Sequence, residues 1–169
     1  MNRFEIVMEE TTVDVGFKPS LPGLGARATG LQGALHASLN ADGKVDLSKP
    51  VRGDFSVSVD DFDLGNRLIN FAATKWLGGD AGLAVQGRID AFKPTGQDSF
   101  EAALAASLRR QEYALTTSGQ LHGSAQEGIR ITGLTKLHPR DVGVPVPRFG
   151  IPWVLVQLNI ATRLVSPEL

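Results

Sequence analysis

Residues 128–165 read GIRITGLTKLHPRDVGVPVPRFGIPWVLVQLNIATRLV, and this stretch decides the fold. Ile129, Ile131 and Gly133 alternate with Arg130, Thr132 and Leu134. That two-residue period places successive side chains on opposite faces of a strand. Pro139, Pro145, Pro147 and Pro152 come next. Each lacks a backbone donor and fixes one dihedral, so neither a helix nor a central strand runs through them and the segment is a shaped loop. Beyond it, Trp153, Leu155, Gln157, Asn159 and Ala161 alternate with Val154, Val156, Leu158, Ile160 and Thr162, a long strand whose second face is the more apolar. Such a strand is well placed to close a sheet.

Working outward, the rest of the chain supplies partners. Phe4, Ile6 and Met8 alternate with Glu5, Val7 and Glu9, and Val13, Val15 and Phe17 repeat the pattern, which predicts two short strands. Residues 19–25, PSLPGLG, are too rich in proline and glycine for regular structure. Leu31, Gly33, Leu35, Ala37 and Leu39 share one strand face, and NADG at 40–43 is a turn. Phe55, Val57 and Val59 mark another strand, and Leu83 to Phe92 another. FEAALAASL, 100–108, suits a helix by intrinsic propensity, but its neighbours, KPTGQDS before it and the alternating Tyr113 to Leu121 after it, favour a meander of strands. One segment breaks the rhythm. Leu64, Leu68, Phe71 and Lys75 share a helical face with Ile69, Ala72 and Trp76 beside it, predicting a helix over about 63–77 with Asp63 as its N-cap.

Composition bounds the function. At 169 residues the chain is one domain able to bury a core without staples. It has no cysteine, so disulfides, thiolate metal sites and thiol catalysis are excluded. A formal net charge of -1 argues against nucleic acid as a partner. No apolar run reaches the length of an integral membrane segment, and the first residues, MNRFEIVMEETTVDV, are no signal peptide. A cytoplasmic protein is expected, unless a leader has been removed. GLGARATG, 23–30, lies between strand patterns with no helix after it to bind phosphate. His36, His122 and His138 are too scattered for a zinc site, and no metal is expected. There is no G-x-S-x-G elbow, and no catalytic residue is assigned.

The fold class that follows is all-β, an antiparallel up-and-down barrel of about eight strands with one inserted helix. A barrel of that size either fills with its own side chains or holds one slender ligand. In order and spacing the chain resembles the YceI-like family. The resemblance rests on the opening strands with Val13 to Phe17, GLQGALHASL at 30–39, the segment Leu64 to Trp76, the hairpin Gly119 to Gly133, and RDVGV at 140–144. It implies a lipocalin-like barrel that binds a polyisoprenoid or other long-chain amphiphile and catalyses nothing. Val142 stands where the family usually has phenylalanine, and LGGDAGLAVQG lacks the family's tyrosine and proline.

The expected ligand is therefore an isoprenoid, quinone or fatty acyl chain, with no cofactor, and a homodimer is left open. A long apolar chain gains about 0.8 kcal/mol per buried methylene, so it needs a continuous apolar tube and few directed polar contacts. Candidates for the lining are Leu31, Leu35, Phe55, Val57, Leu68, Phe71, Trp76, Val85, Ala103, Leu115 and Trp153. Core or lining positions further include Phe4, Ile89, Leu104, Ile131 and Leu158, although alternation alone does not say which face is the lumen. Arg140, Asp141 and Arg148 are the loop or head-group candidates, with Asp141 suited to accept loop amides. The alternative function is a structural or protein-interaction domain with a filled barrel.

Overall fold

In the computed structural model the described residues are 1–18, 25–58, 61–63, 84–108, 111–142 and 153–165. They form a closed antiparallel barrel of strands β1 (Asn2–Ile6), β2 (Thr12–Lys18), β3 (Ala26–Ala28), β4 (Gln32–Ala37), β5 (Arg52–Ser58), β6 (Phe62–Asp63), β7 (Ala84–Pro94), β8 (Ser99–Leu108), β9 (Gln111–Ser124), β10 (Gly128–Leu137) and β11 (Trp153–Leu164). Eleven strands fill eight positions around the wall. β1 and β2 are two halves of one bent strand, as are β3 with β4 and β5 with β6. The lower halves pair as β1–β4–β5 and the upper halves as β2–β3–β6. Every position then pairs with its neighbours in sequence, and β11 closes the ring by pairing with β10, with β2 along its first half and with β1 along its last. The up-and-down barrel read from the sequence is borne out.

Threonines repair the bends. A 3-10 turn at Met8–Glu10 separates β1 from β2 and leaves no strand residue opposite Ala161. The Ala161 carbonyl accepts from the Val7 amide at 2.8 Å, and the Ala161 amide donates to Thr11 Oγ1 at 3.1 Å. At the start of β10, the Thr162 hydroxyl accepts from the Ile129 amide at 3.2 Å and donates to its carbonyl at 3.0 Å. A buried backbone group left unpaired would cost about 1–3 kcal/mol, so these side chains permit a bent wall without orphaned donors.

Core packing divides the barrel lengthwise. The lower cluster joins Phe4, Leu35, Val51, Phe100, Leu104, Leu121 and Ile129, with Phe4 and Ile129 fully enclosed. Its floor is the segment between β4 and β5, held by the bridges Leu39↔Val45 and Lys44↔Ser124 and by Asn40 Oδ1, which accepts from the Asp42 and Lys44 amides. Leu39, Val45 and Leu47 pack upward from this floor. The upper cluster is smaller: Val13, Ala28, Leu31 and Val57, flanked by half-buried Val85, Val156, Leu158 and Ile160.

Some expectations need correcting. Asp63, expected as an N-cap, pairs its backbone with Arg27 between β3 and β6, and the residues it would cap lie outside the described ones. The remainder of the helix expected over about 63–77 lies outside the described residues, none of which forms an α-helix. Met8 belongs to a 3-10 turn rather than a strand. Residues 26–28, within the glycine-rich GLGARATG, form strand β3.

Candidate functional site

The site is the middle of the barrel, and parity decides which side chains reach it. On β9 the inward residues are Tyr113, Leu115, Thr117, Gly119 and Leu121, and on β10 they are Ile129, Ile131, Gly133, Thr135 and Leu137. β7 changes parity midway. Ile89 pairs with Leu104 and Ala91 with Ala103, so Asp90 is an extra residue in a bulge. Val85, Gly87 and Ile89 face inward before it and Phe92 after it. There the Phe92 ring stacks on Phe100, with centroids 5.0 Å apart and planes 23° from parallel. Next to this pair, Phe55 packs its ring where a Gly87 side chain would stand, since a Cβ on Gly87 would lie 2.3 Å from Phe55 Cζ.

These residues leave a cavity of about 60 Å³ between the two clusters. Leu35, Phe55, Phe92, Leu104, Ile131 and Leu158 are among its walls. Among the described residues the wall holds no basic side chain, and the one charged residue there, Asp54, is exposed. Of the threonines there, Thr162 is spent on the Ile129 backbone, whereas Thr117 Oγ1 is buried with no hydrogen-bond partner among the described residues.

The sequence candidates scatter around this cavity. Leu35 and Phe55 line it. Leu31 and Val57 are buried in the upper cluster with Val85 against them, and Leu115 packs on the lower cluster. Ala103 is a correction: it stands on the exposed outer face beside Glu101, and the inward residues of β8 are Phe100, Ala102 and Leu104. Trp153 is a second correction. It lies outside the barrel, 43% exposed, with its ring edge-on to His138 and the Lys136 ammonium 4.7 Å from its centroid. Leu68, Phe71, Trp76 and Arg148 lie outside the described residues. Arg140 and Asp141 sit in an exposed 3-10 turn, where Asp141 Oδ2 accepts from the His138 amide at 2.9 Å and so pins the loop to the end of β10.

Phe92, Phe100, Ala102, Thr117, Leu121 and Ile160 line the cavity without having been singled out. For β8 the signal was present: Glu101 marks the outer parity and Phe100 the inner. For Phe92 there was none, because nothing in the sequence announces the bulge at Asp90.

Chemistry elsewhere is sparse. Among the described residues no group of three or more His, Asp or Glu side chains could hold a metal. A wider depression of about 460 Å³ lies outside β4, β5, β7 and β8. Its cation, Arg88, is committed to Glu112 at 2.8 and 3.1 Å and to Asp90 at 2.8 Å. Glu112 is held below the usual glutamate range by the Arg88 hydrogen bonds and charge. No described helix is long and apolar enough to cross a membrane.

The architecture is thus a closed up-and-down antiparallel β-barrel with an apolar interior. Among solved structures, Burkholderia cenocepacia BcnA superposes with a TM-score of 0.73 at 11% identity, covering 92% of this chain and 98% of that one. A polyisoprenoid binding domain from Saccharophagus degradans, implicated in plant cell wall breakdown, gives 0.66 at 9% identity over 98% of this chain and all of its own. The Campylobacter jejuni YceI protein gives 0.62 at 6% identity over 88% of each. The resemblance to YceI-like proteins is thus borne out in the fold. No protein-family model matches the chain, and no curated protein matches it in sequence.

Proposed function

We propose that this protein is a non-catalytic binder or carrier of a long-chain amphiphilic lipid, an isoprenoid, quinone or fatty acyl chain, held inside the barrel. The observation that carries the reading is the cavity wall: a closed ring of strands facing inward with aliphatic and aromatic side chains and almost no charge. Each methylene taken from water into such a wall contributes about 0.8 kcal/mol, so no built polar site is required. The similarity in fold to a polyisoprenoid binding domain supports the same reading. The floor at Leu39, Val45 and Leu47 favours entry from the opposite end, where the half-buried residues of the upper cluster can part around a chain.

One observation favours a second reading, a structural or protein-interaction domain. The cavity of about 60 Å³ is well below the roughly 300 Å³ at which small-molecule pockets begin. Phe4, Phe55, Phe92 and Phe100 fill much of the lower interior. A lipid would therefore have to displace side chains to enter.

Native mass spectrometry of gently purified protein separates the two readings. A stoichiometric prenyl or acyl species, identified after organic extraction, is the expected result. Protein that carries nothing and ignores quinones, polyprenyl phosphates and fatty acids would overturn the carrier reading in favour of the filled barrel.

A further inference from the structure

Thr117 presents a polar group that no described residue uses. The residue is 4% exposed, its hydroxyl lacks a partner among the described residues, and it forms part of the apolar cavity wall. Leaving a buried hydroxyl unpaired costs about 1–3 kcal/mol, and valine would fill the same shape without that cost. Gly133 on β10, which pairs with Gly119, lies close to it, and an added Cβ there would come within 3.2 Å of Thr117 Oγ1. The hydroxyl therefore borders space that any larger residue at 133 would fill. Thr11 and Thr162, also buried, both bond to backbone, which sets Thr117 apart.

We infer that Thr117 is the internal anchor for the leading end of the lipid, and that this end carries one small, uncharged hydrogen-bonding group, such as a hydroxyl or a carbonyl. The inference rests on the carrier reading and adds an orientation to it: the polar end enters first and the hydrocarbon trails toward the upper end. Uncharged follows from the wall. Among the described residues it offers no cation to a carboxylate or phosphate. An ion buried there without a partner would pay a large desolvation cost. Small follows from the volume of about 60 Å³, enough for such a group once the roughly 10–15 Å³ required by one water is taken as the scale.

The test compares 1-tetradecanol, 1-tetradecene and tetradecanoate, delivered from the same detergent and compared by competition in native mass spectrometry. The wild-type chain should prefer the alcohol to the alkene by about three- to tenfold, the worth of one neutral hydrogen bond, and should bind tetradecanoate below the alcohol. Thr117→Val should erase the preference without weakening the alkene, and Thr117→Ser should keep it. An equal preference in Thr117→Val would overturn the inference, as would a loss of both neutral ligands alike in the two variants. Should the wild type bind alkene and alcohol equally, the anchor falls while the carrier reading stands. If it binds none of the three, the carrier reading falls and takes the anchor with it.

Discussion

The two ends of the barrel are built from the same strands but packed differently. At the lower end Phe4 and Ile129 are wholly enclosed, Phe92 stacks on Phe100, and the segment between β4 and β5 is bridged across as a floor. Towards the upper end Val85, Val156, Leu158 and Ile160 are only partly buried around a small cluster, and the wall there includes β3 of three residues and β6 of two. Stability is thus concentrated below. On the carrier reading, the upper half is where a ligand would exchange with side chains at modest cost, since partly buried residues have less to lose.

Truncation should expose the difference most strongly. Phe4→Ala should cost about 3–5 kcal/mol in urea unfolding, as for other enclosed aromatics, whereas Val85→Ala should cost about 1 kcal/mol. Equal costs would mean that the two ends are equally packed. Parity on β8 gives a sharper and smaller effect. Ala102→Trp forces a large ring into the lower cluster and should destabilise by about 1–3 kcal/mol or more, while Ala103→Trp on the outer face should stay within about 0.5 kcal/mol. A lipid-bound protein should keep its ligand in the second variant and lose it in the first. The smallest effect belongs to the outer wall. Arg88 holds Glu112 below the ordinary glutamate range, so the pair's stabilisation is present above the unfolded-state value and is lost as pH falls through the lower folded-state value. Both partners are exposed, and the contribution is small. An NMR titration should find the Glu112 midpoint depressed in the wild type and restored upward in Arg88→Gln.

The sequence makes some of this plain and hides the rest for physical reasons. Wherever charged or polar residues alternate with aliphatic ones, as in Gly128 to Leu134 and Tyr113 to Leu121, the strand and its inner face are both legible. On β8 the AALAA run makes both faces small and apolar, so Ala103 was given the wrong side even though Glu101 marked it. Trp153 misled differently. Counted among the lining candidates, it stands at the start of β11 on the outside of the barrel, against His138 and Lys136. The break between the first two strands is legible as well, but what repairs it, the long-range pairing of Thr11 with Ala161, is not. The unpaired hydroxyl of Thr117 is likewise a property of three-dimensional neighbours, and in sequence it is one threonine among several.

The ring closes between β11 and the paired halves β1 and β2, and the Thr11 to Ala161 bond spans 150 positions of the chain. The opening strands therefore wait while the intervening chain is made, on the order of ten seconds at about 5–20 residues per second, with their edge amides and carbonyls unpaired on one side. Pairings so distant in sequence also form slowly. The seam makes closure the last step in building the barrel, and it leaves the nascent meander dependent on whatever shields an open edge until β11 arrives.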